Sequence, residues 1–557
     1  MPVTNIKNKK TKFIFVSGGV ISGIGKGTTA ASIGYLLKSA GFRVTPIKFE
    51  GYLNIDAGTI NPIEHGDPFL CEDGTETDMD IGTYEKFLYE DMGRDNFVTM
   101  GQVYKTIIDK ERRFEYNGED VEAIHISEEI IYRIKKLAAM KDADIVTIEL
   151  GGTAGEYWNV FFYEASRMLT LQNPGDVIHI HVSYMPTPHH LGEPKTKPTQ
   201  LSVRTLNTLG IQPDFIVARS EKPLDQRRKD RFALFCNMNP GDVISNPDMI
   251  SPYQIPQVLH DQGLDKKILQ KLSLPIRKPK LNDLDKLLKQ ITSPKKQHIE
   301  IAIVGKYFGT GDYQLRDSYA ALFDAIDHAS WQLGIDVKTK WVDAEQIEKK
   351  NPQDLIGEVN GIIVPIGWGE RGAEGMIKAA NYAREKKIPY LGLCYGMQLS
   401  VIAFARNVLG WKDADTTENN PKTKHPVIYL IPAQKEFMDA RAYGGTMRLG
   451  TWDAIVKKGT KAWGLYDKYN AFKDKSKGLT SERHRHRYEF NNIFAQDFEK
   501  KGLIVSARSV KENLVEIIEI PDHPFFLGTQ GHPEYKSRPL QPHPIFLGFI
   551  DACSKKK

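Results

Sequence analysis

Cysteine is scarce in this chain: its 557 residues include four, Cys71, Cys236, Cys394 and Cys553. They are widely scattered and no two stand at metal-ligand spacing. Neither a structural metal site nor a disulfide framework is expected, and a reducing compartment is the simplest reading. Long apolar runs are missing too. None approaches the roughly 20 residues that span a bilayer. The apolar stretch after the basic segment Met1–Lys12 is too short for a signal-peptide core. The chain therefore reads as cytoplasmic, with no membrane partner. Charge of one sign is also lacking. A net charge of +5 is small for this length, so nucleic acid is not an expected partner, and local basic clusters fit anionic small molecules. No repeat of fixed period is evident, and the only low-complexity segment is the Lys555–Lys557 tail.

What is present is an ordinary globular composition, 41% hydrophobic and 26% charged. The length exceeds one core and implies about two to four domains. Strand-like and helix-like segments alternate in the first half. Phe13–Ser17, Val44–Phe49, Asp144–Leu150, Asp176–Val182 and Pro213–Ala218 read as strands, and Lys26–Ser39 and Ser127–Met140 as helices. That alternation indicates a mostly parallel sheet covered by helices. Around Pro275–Gln297 the pattern lapses into proline and lysine, and residues 275–298 are expected to be a linker containing a short helix. A second α/β series follows, with strands at Ile299–Val304, Gly361–Pro365 and Pro389–Leu393, a helix near Asp317–Gln332, and another helix after Gly396.

Each series carries one chemical signature. The first strand runs into Gly18-Gly19-Val20-Ile21-Ser22-Gly23-Ile24-Gly25-Lys26-Gly27-Thr28. A loop between strand and helix points backbone N–H groups at phosphate, and the helix N-terminus adds positive potential. Lys26 would reach terminal phosphates, and Thr28 a metal or a phosphate. The usual P-loop pattern would place glycine at position 20 and a hydroxyl at position 27. Here the glycine lies one residue earlier and the hydroxyl one later. A glycine-rich turn without ligand is the alternative, against which the strand–helix context weighs. A bound triphosphate needs Mg²⁺ and hence carboxylate oxygens. Candidates are Asp80, ending the acidic run Glu72–Asp80, and Glu149, at a strand's C-terminal end where ligands of open α/β sheets gather. The acidic run by itself reads as a solvated loop. Lys195, Lys197, Arg219 and Arg231 together suit a second polyphosphate. His179, His181, His189 and His190 lack a completing ligand at metal spacing, and His179 and His181 are expected to share one strand face.

The second signature is Gly392-Leu393-Cys394-Tyr395-Gly396, with His532-Pro533-Glu534 far downstream. A nucleophile between small residues after a strand makes a tight elbow and places backbone N–H groups near the reacting carbonyl. His532 would deprotonate Cys394 and Glu534 would orient the imidazole. In an extended segment, residues two apart share a side, so both could line one wall. The segment Pro365–Gly369 follows a strand and can supply an oxyanion N–H. Glu418 and Arg487 are candidates for the amine and carboxylate of an amino-acid substrate. By itself, Arg483–Arg487 would be a solvated basic stretch or a weak anion site.

In this order the motifs closely resemble the CTP synthase family over nearly the whole chain. The resemblance implies two three-layer α/β domains: a P-loop, Rossmann-like amidoligase synthetase over 1–274, then a class I glutamine amidotransferase (flavodoxin-like) domain over 299–557. It implies that ATP phosphorylates the 4-oxygen of UTP. Ammonia from glutamine, released at Cys394, then crosses an internal channel and displaces phosphate to give CTP. By matched motif, Lys26 and Lys48 serve phosphoryl transfer, Asp80 and Glu149 hold Mg²⁺, and Ser22, Gly23, Ile24, Gly25, Gly27, Thr28 and Arg219 bind ATP. Ser22, Glu156, Lys195, Lys197, Gln200 and Arg231 would bind UTP or CTP. Gly367, Gln398, Glu418 and Arg487 would bind glutamine. The family further implies GTP as allosteric activator, CTP as inhibitor, a homotetramer built as a dimer of dimers, and filaments.

The chain departs from the family at several places. Glu50-Gly51-Tyr52 stands for Asp-Pro-Tyr, and Trp158 for the last acid of Gly-Asp-Ile-Glu, which is expected to alter CTP feedback. Glu122 stands for a glutamine, Pro68 for a small apolar channel residue, and Tyr395 for the leucine beside the nucleophile. Ile366 replaces the first glycine of Pro-Gly-Gly-Phe-Gly, a poor choice wherever positive φ is required. Two alternatives follow: a glutamine-dependent amidoligase with another acceptor, against which the paired lysines weigh, and a catalytically impaired regulatory or filament-forming paralogue, against which the retained catalytic set weighs.

Overall fold

The computed structural model describes residues 10–190, 192–295, 297–310 and 313–556. The start of the basic N-terminal stretch and the last lysine of the tail lie outside the described residues. The chain forms two compact units: one takes the chain to Ile55 and then Thr83–Lys289, the other takes Asp56–Gly82 and everything from Gln290 onward.

The first unit is built on seven parallel strands: β1 (Lys12–Gly19), β2 (Val44–Glu50), β3 (Phe97–Thr99), β4 (Ile145–Leu150), β5 (Val177–Tyr184), β6 (Phe215–Ser220) and β7 (Val243–Pro247), in the order β3-β2-β4-β1-β5-β6-β7. Every residue of β1 and β4 is buried, as expected of strands covered on both faces. Phe13 and Phe15 point to one face and pack with Ile130, Ile134 and Phe162 of the helices Ala123–Met140 and Val160–Gln172. Ile14 and Val16 alternate to the other face. Helix α1 (Lys26–Ser39) begins after Gly25, whose φ of 85° only glycine adopts at no cost. The expected linker does contain a helix, Asn282–Thr292.

Among the described residues, the main sheet of the second unit has nine strands: β8 (Gln297–Gly305), β9 (Ile335–Asp343), β10 (Gly361–Val364), β11 (Tyr390–Leu393), β12 (Arg448–Val456), β13 (Leu479–His486), β14 (Ile504–Ser509), β15 (Val515–Glu519) and β16 (Phe526–Thr529). Their order is β9-β8-β10-β11-β16-β15-β14-β12-β13. The first five are parallel and the remainder antiparallel. Both units are α/β. Among the described residues, no helix is long and apolar enough to cross a membrane.

Two readings of the charged runs are corrected here. Arg483–Arg487 is not a solvated stretch: it lies on and just after β13, with Arg483 fully buried and Arg485 3% exposed. The acidic run is not simply a solvated loop. It lies in Asp56–Gly82, where Glu76 is buried and its Oε1 accepts from Arg485 Nε at 2.6 Å. Arg485 also donates to the Gly58 carbonyl at 3.2 Å, and Arg483 to the Leu70 carbonyl at 2.9 Å. Tyr535 donates to Asp67 at 3.1 Å and to the Pro68 carbonyl at 2.9 Å. These bonds make Asp56–Gly82 part of the second unit. Breaking a buried ion pair from one side strands the other charge, at about 3–5 kcal/mol. Glu76→Leu is therefore expected to lower one calorimetric unfolding transition of the full chain by that amount, whereas the exposed Glu193→Leu leaves the scan unchanged.

Candidate functional sites

The cysteine site is made by close packing. Cys394, between β11 and the helix Tyr395–Phe404, has φ 50° and ψ −99°, a strained elbow for a non-glycine residue. A Cβ on Gly396 would lie 1.9 Å from the Val364 carbonyl oxygen, so only glycine lets the helix start this near the sheet. Cys394 N–H donates to the Thr529 carbonyl at 2.8 Å, and its Sγ lies 3.8 Å from the Arg485 carbonyl.

His532 and Glu534 do pair, Nδ1 to Oε1, at 2.7 Å. The route differs from the extended wall expected: Pro533–Lys536 is a helical turn that His532 precedes, and the turn brings the two side chains together. His532 is anchored by its N–H to the Arg483 carbonyl at 2.8 Å. Burial alone would depress its imidazole, but the Glu534 carboxylate and the Cys394 sulfur outweigh burial and raise it to about 10. The ring therefore holds its proton.

The loop after β10 explains two departures from the family pattern. Ile366 is not among the residues with positive φ; in Pro365–Gly369 only Gly369 is, at 67°. Ile366 is instead buried in the apolar core, so the strain expected there does not arise. Tyr395 donates to the Gly369 carbonyl at 2.8 Å. Lys306, at the end of β8, donates to the same oxygen at 3.0 Å, and Trp368 N–H donates to Tyr307 Oη at 3.1 Å. Burial, with Arg371 nearby, lowers Lys306 to about 8.

The glutamine-binding candidates surround this loop and strand. Glu418 accepts from Gly369 N–H at 3.0 Å, and burial raises its carboxyl. A side chain on Gly367 would crowd Lys306 and Tyr395. Arg487 is engaged, donating to Gln434 at 2.5 Å, to the Tyr443 carbonyl at 2.7 Å and to Thr446 at 2.8 Å. Gln398 donates to the Tyr488 carbonyl at 2.7 Å and to Gln530 Oε1 at 3.1 Å. Gln530 in turn donates to Cys394 Sγ at 3.5 Å. Sequence reasoning missed Gln530 and Lys306. The signal for Lys306 was its place at a strand's C-terminal end; for Gln530, its place two residues before His532.

In the first unit, Ser22 and Gly23 are exposed on the loop, Ile24 is buried, and Gly27 and Thr28 open α1. Val20, where the usual pattern has glycine, takes φ 84°, a conformation costly for a β-branched residue. Lys26 is buried and folds over Gly18. Thr28 Oγ1 donates to the Gly25 carbonyl at 3.0 Å. Arg219 Nε lies 3.9 Å from where a Gly25 side chain would start, and Nη1 donates to the Pro247 carbonyl at 2.9 Å.

Lys48 stands between two carboxylates, 2.9 Å from Glu50 and 3.8 Å from Glu149. Glu149, at the end of β4, also accepts from Tyr84. Asp80 lies in the first turn of Met79–Leu88. Glu156 accepts from Thr153 N–H at 2.8 Å and caps its own loop. Lys195 pairs with Glu193 at 2.5 Å, Lys197 opens the helix Lys197–Thr208, Gln200 donates to Thr196 at 3.1 Å, and Arg231 is exposed on Gln226–Phe235. His179 and His181 are buried on β5, His181 lying between Ser17 and Ser202. Two further departures touch: a Cβ on Gly51 would lie 2.3 Å from Asn159 Oδ1 and 3.0 Å from Trp158 Cβ.

Residues 12–274 match the family described as CTP synthase N-terminus, and residues 314–552 that of glutamine amidotransferase class-I. The chain is 47% identical to the CTP synthase of Caldanaerobacter subterraneus subsp. tengcongensis over 548 residues, 98% of this chain and 99% of that protein. It is 46% identical to the CTP synthase of Pyrococcus furiosus over 550 residues, 98% of each. Among solved structures it is similar to the glutaminase domain of Trypanosoma brucei CTPS with bound acivicin. That likeness has 35% identity and a TM-score of 0.41, and covers 46% of this chain and 95% of that one.

A hydrogen bond to a group that becomes charged contributes about 1.5–3 kcal/mol. Gln530→Leu is therefore expected to slow glutamine hydrolysis about 10- to 150-fold without changing ammonia-supported turnover. An unchanged rate with glutamine would remove Gln530 from the site.

Proposed function

The chain belongs to the CTP synthase family, and on that premise we propose how its own residues divide the work. As a CTP synthase it is a glutamine-hydrolysing ligase: ATP activates UTP, ammonia from glutamine replaces the 4-oxygen, and CTP forms. We assign the synthetase to residues 1–274, the linker to 275–298 and the amidotransferase to 299–557. The observation that carries the residue assignment is Cys394 on a strained elbow, with the charged His532–Glu534 pair beside it.

At that elbow, His532 takes the Cys394 thiol proton and the Sγ thiolate attacks the glutamine amide carbon. Backbone N–H groups of Gly367 and Tyr395 receive the developing oxyanion. His532 gives its proton to the departing nitrogen, ammonia leaves, and water then cleaves the thioester to glutamate. Gln398, Glu418 and Arg487 hold the amino-acid end of glutamine.

In the first unit the loop Ser22–Thr28 holds the ATP phosphates on backbone N–H groups, Lys26 and Lys48 draw charge from the transferring phosphoryl group, and Arg219 lies by the ATP base. Lys195, Lys197, Gln200, Arg231 and Glu156 take UTP or CTP. Mg²⁺ fits Glu149, a buried carboxylate near the end of β4, since a Mg²⁺ site needs only one or two carboxylates beside phosphates and water; Asp80, in the segment that belongs to the second unit, is assigned to the same ion by the family pattern alone. When bound, the ion neutralises phosphate charge. GTP is assigned as activator, the assembly as a homotetramer, and the location as the cytoplasm.

The division of labour is tested with two variants and two nitrogen sources. Cys394→Ala is expected to abolish CTP formation from glutamine and leave formation from ammonium intact. Lys26→Ala is expected to lower both by about 100-fold or more, the scale of losing one charge-stabilising group. Nucleotide chromatography reads both. Loss of both routes in Cys394→Ala would contradict the two-site assignment.

A further inference from the structure

A cavity of about 490 Å³ lies on the second unit, beside the helices Lys461–Lys468 and Pro544–Lys555. None of its lining residues belongs to the cysteine site. Its rim holds five lysines, Lys387, Lys461, Lys468, Lys555 and Lys556, and one carboxylate, Asp551. Asp551 pairs with Lys555 at 2.8 Å and lies 4.0 Å from Lys468. The other three ammonium groups have no carboxylate partner among the described residues. Lys387 donates to the Asp522 carbonyl at 3.2 Å, Lys461 to the His523 carbonyl at 2.7 Å, and Lys556 to the Val359 carbonyl.

Carbonyl oxygens orient an ammonium group without neutralising it. Five lysines against one aspartate make the lining itself predominantly positive, with Glu519, Asp522 and Glu358 acting on it from behind. Burial holds Lys461 below the ordinary lysine range, the Glu519 and Asp522 charges offset only part of this, and Lys387 pushes it further down. Burial likewise lowers Lys556. Positive groups this near one another are relieved by an anion. The interior between them is apolar, formed in part by Leu465, Pro524 and Ala552. Inorganic phosphate would leave that surface wet. A fatty acid would bring a single charge. A nucleoside triphosphate brings several negative charges and a flat base, and the volume falls in the range of small-molecule sites.

We propose that this cavity is a further nucleotide site, distinct from both reaction sites, that takes the phosphates of a nucleoside triphosphate on its lysines and the base on Leu465, Pro524 and Ala552.

The test is a lysine-acetylation footprint of the full-length protein, read by peptide mass spectrometry, with ATP, inorganic tripolyphosphate or adenosine as probe. Saturating ATP is expected to slow acetylation of Lys387, Lys461, Lys468 and Lys555 at least about fivefold, and tripolyphosphate and adenosine to protect less. Lys338 and Lys500, exposed elsewhere, are expected not to change. The double variant Lys468→Gln/Lys555→Gln alters two exposed side chains. It is expected to form CTP at the parent rate and to lose ATP protection of Lys387 and Lys461. Unchanged acetylation at these lysines, under conditions where ATP supports turnover, would overturn the proposal. So would protection by tripolyphosphate equal to that by ATP, because the apolar surface would then contribute nothing.

Discussion

A guanidinium in a dry interior must find partners, and two of them on β13 organise the second unit. Arg483 and Arg485 are buried beyond the reach of water, where an unpaired charge costs several kcal/mol. Their partners come from more than 400 residues earlier: the carbonyls of Leu70 and Gly58 and the Glu76 carboxylate. That demand makes Asp56–Gly82 part of the second unit although the chain around it belongs to the first. The same strand serves chemistry through its backbone. The Arg483 carbonyl seats His532, and the Arg485 carbonyl lies by the Cys394 sulfur. A one-residue slip of β13 would turn both guanidinium groups to the opposite face, so the ion pairs also fix the register that places those carbonyls. Asp67 belongs to this network. Burial raises its carboxyl to about 6, against the opposing pull of Arg485 and His532.

Eight of the parallel strands were legible because their physics is local, whereas β3, β7, β9 and β16 were not read. A run such as Phe13–Val16 is apolar on both faces, so it reads as a covered strand, and Gly25-Lys26-Gly27 marks where its helix begins. The elbow was legible for the same reason, since glycine on either side of a cysteine signals a close approach that Gly396 makes against Val364. β13 was not legible. Leu479–His486 carries Glu, Arg and His at five of its positions, and charge without a partner in view reads as surface. The partners are on another part of the chain, and only the fold brings them together. Gln530 escaped notice because a neutral amide has no pattern of its own, and its meaning lies entirely in the sulfur beside it.

The His532–Glu534 pair shows how a correct pairing can follow from a different geometry. A two-residue spacing puts side chains on one side of a strand. Here the proline between them starts a helical turn instead, and the two groups meet at 2.7 Å. The turn buries both residues, and burial strengthens their attraction. An exposed strand would have left the pair solvated and the imidazole near its ordinary range.

The departures from the family pattern are best understood in pairs. Alone, Ile366 threatens the loop 365–369 and Tyr395 crowds Cys394. Together they are compatible: Ile366 is held in the core at ordinary φ, while Tyr395 and Lys306 tie down the Gly369 carbonyl at the loop's far end. The same holds in the first unit. Glycine at position 51 loses the stiffness of a proline, but no larger residue fits there, because Asn159 and Trp158 press against its backbone. A larger residue at 51 would have to displace the 156–159 loop, whose other contacts, from Glu156 to Thr153 and from Asn159 to the Gly151 carbonyl, are already made. Each substitution is therefore conditional on its neighbour. The constraint that links them is close packing, which leaves no room for one member of a pair to change alone.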